Sequence, residues 1–371
     1  MAIILTGSTG VATPAVVDAS GGNTATINST TPTADSLQGF RNRIINGDMR
    51  IDQRNAGAAV TANDSYAVDR FLNQNDTDGV FSAQRDSSAP VGFVNSLKFT
   101  TTTADASLSA TQRCAIQHRI EGTNVSDLAW GTANAKTVTL SFWVRSSLTG
   151  TFGGALGNSA ANRSYPFTYS ISSADTWEYK TVTIAGDTTG TWLTTTGIGL
   201  RVYFALGMGS TYSGTAGAWA ASDLRSVTGA TSVIGTLNAT WYVTGVQLEV
   251  GSVATPFERK DYGRELALCQ RYCFVPASGS RYVGQCDGTT RALIIYVFPQ
   301  TMRSASSATL ASAATYNVTN ATGGTVAGTS VALNVGQVDT AQIGVTVASG
   351  LVAGNATIVT ASGTTIFSAE L

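Results

Sequence analysis

The chain has 371 residues, of which 43% are hydrophobic and only 12% charged, with 22 basic against 23 acidic side chains and a net charge of −1. That length exceeds what one hydrophobic core usually supports, so two or more globular domains are expected. The balanced charge and the lack of any basic run exclude a protein that neutralises a series of nucleic-acid phosphates.

No stretch approaches the roughly 18 consecutive apolar residues of a membrane-spanning helix, and the opening MAIILTGSTG has neither the basic segment nor the apolar length of a secretory leader. Synthesis in a cytoplasm, without membrane insertion, is the expectation. Ordinary soluble domains carry roughly 25% charged residues. Here Thr, Ser, Asn, Gly and Gln replace much of the Lys and Glu, and two readings stay open. A surface of hydroxyls and amides suits a chain packed into a permanent assembly, and the same bias also accompanies a β-rich composition.

Residues 1–39, rich in Gly, Thr, Ala and Ser with Pro14 and Pro32, have no sustained period and read as an extended arm that orders only against a neighbour. Residues 40–259 read as strands separated by Gly, Asn, Asp and Ser clusters, the pattern of an antiparallel sandwich. Alternation is clearest in three segments. In VTLSFWVRSS, Val138, Leu140, Phe142 and Val144 oppose Thr139, Ser141, Trp143 and Arg145. In GIGLRVYFALG, Ile198, Leu200, Val202, Phe204 and Leu206 oppose Arg201 and Tyr203. In WYVTGVQLEVG, strict alternation puts Tyr242, Val246, Leu248 and Val250 opposite Trp241, Gln247 and Glu249.

Residues 260–275 form the predicted connecting helix. Tyr262, Leu266, Cys269 and Cys273 recur at helical spacing and make an apolar stripe that must pack on its own domain or in a bundle of symmetry mates. Residues 276–371 read as β-hairpins of a small terminal domain, serving as a tip or a subunit interface. RALIIYVFP, apolar on both faces, reads as a strand buried on both sides or lying between subunits.

Catalytic patterns are sparse. The single histidine, His118, alternates with Ile116 and Ile120 in IQHRIEG and reads as a half-buried strand residue, which leaves no Ser-His-Asp or Cys-His scheme. Cys114, Cys269, Cys273 and Cys286 match no zinc spacing and read as structural thiols. Glu121, Asp127, Glu178, Asp223 and Glu249 contain no spacing that points to a glycosidase pair. No phosphate-binding glycine loop is present, so no enzymatic activity is expected.

Recognition remains. A sugar needs an aromatic face against its C–H side and rigid donors and acceptors for its hydroxyls. Trp143 and Arg145 on one strand, with Arg201 and Tyr203 on another, meet that need if the two strands are neighbours in one sheet, and Trp177 and Tyr179 extend the platform. Asp48 and Glu249 are the only pair that suggests a structural calcium between opening and closing strands, in competition with salt bridges to Arg50 or Arg70.

The motifs RIINGDMRIDQR (Arg43 to Arg54), VDRF (Val68 to Phe71), IQHRIEG, VTLSFWVRSS and GVQLEVGSVATPFER (Gly245 to Arg259) occur in this order, followed by YGRELALCQRY (Tyr262 to Tyr272) and a terminal FSAEL. Together they resemble a jelly-roll domain of tailed-bacteriophage tail fibre and appendage proteins, and VTLSFWV is also similar to carbohydrate-binding modules of jelly-roll fold. The resemblance covers roughly Phe40 to Tyr272 and the last few residues.

The resemblance implies an all-β virion protein, a homotrimer attached to other virion proteins by its arm, that contacts a host cell-surface glycan. The alternatives it leaves are a capsid-decorating or purely structural appendage without ligand, and a polysaccharide-degrading tailspike.

Overall fold

The computed structural model describes residues 40–320 and 322–371; the expected arm of residues 1–39 lies outside the described residues. The first domain contains β1 (Ser65–Val68), β2 (Phe71–Asn75), β3 (Val80–Asp86), β4 (Ser96–Thr103), β5 (Arg113–Glu121), β6 (Val138–Ser146), β7 (Gly150–Gly157), β8 (Ser164–Ile171), β9 (Glu178–Ile184), β10 (Ile198–Met208), the short β11 (Ser213–Gly214) and β12 (Ser226–Val227), and β13 (Thr240–Val250). Two antiparallel sheets, ordered β1-β2-β5-β10-β7-β8 and β3-β4-β13-β6-β9, pack face to face as a jelly-roll sandwich.

Period-two patterning is what forces this layering. Val138, Leu140, Phe142 and Val144 of β6 face Leu200, Val202, Phe204 and Leu206 of β10 across one core, all of them buried. Phe142 meets Phe204 and Tyr169 edge-on with ring centroids 5.0 and 5.1 Å apart. Fully burying such a side chain contributes about 1.5–3 kcal/mol.

Strand β13 departs from strict alternation. Its register against β6 shifts between Thr244 and Gln247, where Gly245 adopts φ +61°. The extra residue is a bulge, and it exchanges the two faces of the strand ahead of it. Trp241 therefore lies in the core with its indole N–H donating to the Tyr169 hydroxyl, while Tyr242 faces outward, the reverse of the sequence expectation.

His118 is fully rather than half buried, with Nε2 3.1 Å from the Ile45 carbonyl oxygen and its ring edge-on to Phe71. Burial, and then the nearby Arg70 charge, hold its pKa well below 6.5. Such a group is a poor base and is not open to a ligand.

The helix α1 (Tyr262–Gln270) starts at Asp261, whose carboxylate accepts from the Arg264 amide at 2.9 Å. It ends before Cys273, which instead opens β14 (Cys273–Phe274), so Cys269 and Cys273 do not share a helical face. Tyr262 is exposed. Leu266 and Cys269 pack on Ile45, Ile51 and Tyr272 of the same chain. All four cysteines are free and buried.

The terminal domain contains β15 (Ser280–Cys286), β16 (Arg291–Val297), β17 (Ser307–Thr309), β18 (Tyr316–Thr319), β19 (Thr325–Gly336), β20 (Thr340–Val347), β21 (Ala356–Ala361) and β22 (Ile366–Ser368). Strands β15-β16-β20-β19-β18-β21 close into a barrel, which leaves no unpaired edge among them, and β14-β22-β17 form a small sheet. In β16, Ala292, Ile294 and Tyr296 fill the barrel while Ile295 and Val297 face outward. The strand is thus buried on one side within the chain, because closure supplies only one dry face.

The two domains are joined by buried charge. Arg54 and Arg70 both bind the Glu370 carboxylate, Arg303 donates to the Thr196 carbonyl, and Arg271 with the Tyr272 hydroxyl engages Glu121. The Arg70 guanidinium lies 3.6 Å above the Tyr272 ring. Among the described residues no helix is long and apolar enough to cross a membrane.

Candidate functional site

The five-stranded sheet presents its outward side chains in rows. Residues opposite one another on adjacent strands lie about 5 Å apart, so a row of large side chains makes a continuous surface. One row runs from Lys98 on β4 through Tyr242 on β13 to Arg145 on β6. The next runs from Thr244 on β13 through Trp143 on β6 to Tyr179 on β9.

In the second row the Trp143 and Tyr179 rings are 5.4 Å apart, and Tyr179 is 44% exposed. Two loop aromatics complete a cleft of about 460 Å³ above them: Phe93, between β3 and β4, meets Phe257, beyond β13, edge-on at 5.3 Å. Gly245 makes this approach possible. A Cβ there would lie 2.7 Å from the Phe93 ring and 3.2 Å from the Trp143 ring.

The polar side chains of the lining are Ser141, Tyr179, Thr255 and Arg259, of which Tyr179 and Arg259 are exposed. Arg259 is held over the Phe93 ring at 4.8 Å and donates to the Gly92 carbonyl at 2.5 Å. Flat apolar walls with a few fixed polar groups are what a sugar-sized ligand requires, and the volume falls in the roughly 300–1,000 Å³ range of small-ligand sites.

Of the residues expected to form one platform, Trp143, Arg145 and Tyr179 occupy this outer face, and Trp177 packs beside it on Tyr242 with ring centroids 6.1 Å apart. Arg145 is committed to that neighbouring patch: it stacks over Tyr242 at 5.0 Å, bonds the Ser88 hydroxyl and pairs with Asp175 at 3.3 Å. Arg201 and Tyr203 do not join them. Their strand β10 belongs to the six-stranded sheet, in the other layer of the sandwich. Tyr203 is buried under the Arg225 guanidinium, and Arg201 donates to the Asn158 carbonyl.

Asp48 and Glu249 do not fit a calcium cage. Arg50 lies 2.5 Å from Asp48, and Glu249 accepts from the Thr255 amide and hydroxyl at 2.8 and 2.6 Å and from Gln247, with Arg41 at 3.5 Å. Glu249 thereby pins residues 254–256, one wall of the cleft. Among the described residues no group of three or more His, Cys, Asp or Glu is placed to hold a metal ion.

The remaining carboxylates are spoken for in the same way. Asp127 pairs with Arg43, Glu178 with Lys180 and Asp223 with Arg225. Burial alone would raise the Glu178 carboxyl, but hydrogen bonds from Lys180 and the Ser172 and Ser173 amides bring it below its ordinary value. It stays ionised at neutral pH.

Phe93, Tyr242, Phe257 and Arg259 were not among the expected site residues. Tyr242 is inverted by the bulge, and the other three sit in loops with no period to reveal them. A second concavity of about 200 Å³, lined by Trp130, Trp192 and Leu193, belongs to a cluster of three tryptophans. All three indole N–H groups there bond within the chain, to Lys136, Asp187 with Thr189, and Ala185, which marks a packing cluster.

No family model and no curated protein sequence matches this chain. Among solved structures it is similar to a protein of Bacteroides thetaiotaomicron VPI-5482 described as a candidate sugar-binding protein (12% identity, 57% of this chain and 100% of that one, TM-score 0.35). It is also similar to the enzymatically active domain of tailspike protein 4 of bacteriophage CBA120 (9% identity, 58% of this chain and 22% of that one, TM-score 0.30). A third is TmCBM61 in complex with β-1,4-galactotriose (7% identity, 57% of this chain and 99% of that one, TM-score 0.30). At these identities and scores the likenesses transfer no ligand to this chain.

Proposed function

We propose that the chain is a non-enzymatic glycan-binding protein whose site is the cleft above Trp143 and Tyr179. The observation that carries this reading is the arrangement of four aromatic rings, Phe93, Trp143, Tyr179 and Phe257, around one cleft floored by rigid sheet and edged with polar side chains. Strand-borne rings lose little freedom on binding, so their apolar faces are pre-organised for the C–H side of a sugar.

The cleft lining contains no carboxylate. Glycoside hydrolysis needs two, roughly 5–9.5 Å apart, so binding without cleavage is the activity this lining supports. Retention of the full chain on immobilised host-envelope polysaccharide, lost in Trp143→Ala and with no release of reducing ends, is the expected outcome. Equal retention of the variant, or sugar release, contradicts the proposal.

The proposed setting is a tailed-phage virion, as a tail fibre or appendage protein in contact with the host surface. It rests on the ordered motifs from RIINGDMRIDQR to YGRELALCQRY and on the charge-poor composition. A homotrimer belongs to the same proposal; three weak sites on one particle would raise avidity by about 10²–10⁴. Sedimentation equilibrium of the full chain tests it: three copies support it, a monomer at micromolar concentration contradicts it.

A further inference from the structure

The cleft is electrostatically one-sided. Elsewhere on the same face the cations are neutralised by close carboxylates: Lys98 by Asp86 at 3.8 Å and Arg145 by Asp175 at 3.3 Å. Arg259 differs. It is the only charged residue in the lining, it is exposed, and among the described residues it enters no ion pair.

Its side chain is nonetheless fixed. Rings of Phe93 and Phe257 lie 4.8 and 5.8 Å from the guanidinium carbon, and one N–H is held by the Gly92 carbonyl. A guanidinium has five N–H donors. With one engaged, the others remain available at the cleft mouth in the planar fork that pairs with carboxylate and sulfate oxygens.

Resting on the glycan reading above, we infer that this cleft selects acidic glycans, with Arg259 meeting a carboxylate or sulfate on a sugar whose ring lies over Trp143 and Tyr179. A neutral glycan would use the aromatic walls alone. An amino sugar would meet an unscreened positive charge with no compensating carboxylate in the lining.

The test uses a matched pair, oligogalacturonate and its fully methyl-esterified form, titrated into the full chain at low ionic strength, beside an array of neutral, carboxylated and sulfated oligosaccharides. The acid should bind about fivefold to tenfold more tightly than the ester, and added salt should shrink that gap, since the pair is near the surface. Arg259→Gln should abolish the gap, so that acid and ester bind alike; Arg259→Lys should keep part of it.

Equal binding of acid and ester by the wild-type chain, or a gap that survives Arg259→Gln, overturns this inference while glycan binding stands. Binding of neither form, with no array sugar retained by the wild-type chain, overturns the glycan reading and this inference with it. An unchanged melting temperature for both Arg259 variants assigns the effect to the ligand and not to the Gly92 loop.

Discussion

Glu370 accepts an ion pair from Arg70 across 300 residues of sequence, and Arg54 binds the same carboxylate at 2.9 Å. Arg70 is buried, so the pair fastens the end of the barrel domain to the β1–β2 corner of the sandwich. Removing one partner of a buried pair strands the other, at a cost of about 3–5 kcal/mol. Glu370→Gln should therefore lower stability by that order. Chemical denaturation should show one transition for the wild type and two for the variant, and a single unshifted transition in the variant would show that the clasp contributes nothing.

His118 makes stability depend on pH. Its folded-state pKa lies well below 6.5 because burial, and then Arg70, disfavour the charged ring. The unfolded chain takes up a proton near pH 6.5 while the folded chain does not. Stability from this group is thus complete above pH 6.5 and falls below it, by up to about 1.4 kcal/mol per pH unit. Glu265, raised first by burial, acts oppositely above its ordinary value. Subtracting the pH profile of His118→Gln from that of the wild type isolates the histidine; superimposable profiles between pH 5 and 7 would contradict the assignment.

Gly245 supports both the bulge and the cleft. Its φ of +61° disfavours a side chain, and a Cβ would press into Phe93. Gly245→Ala should cost about 1–2 kcal/mol and displace Phe93 from Phe257. Calorimetry reads the first effect and weakened glycan retention the second. Unchanged retention would show that Phe93 is not part of the binding surface.

The two-layered sandwich was legible in alternation, since Phe142 and Phe204 share a periodic dry face with their neighbours. So was the outward placement of Trp143, Arg145 and Tyr179. Sheet membership was not: alternation gives the face of a strand but not its neighbours, so β10 with Arg201 and Tyr203 fell in the other layer. The bulge at Gly245 exchanged Trp241 and Tyr242 because one inserted residue is invisible to a period-two reading. Phe93, Phe257 and Arg259 come together only through loop closure over that glycine. The helix stopped short of Cys273 because pairing with β22 captured that residue in a strand.

The most direct test of the central claim compares affinities for one retained glycan across three proteins: the wild-type chain, Trp143→Ala with Tyr179→Ala, and Tyr203→Phe. Loss of at least about tenfold, or roughly 1.4 kcal/mol, in the double variant, with Tyr203→Phe binding as the wild type, is the result expected if the outer face of the five-stranded sheet is the site. Unaltered affinity in a folded double variant would contradict it.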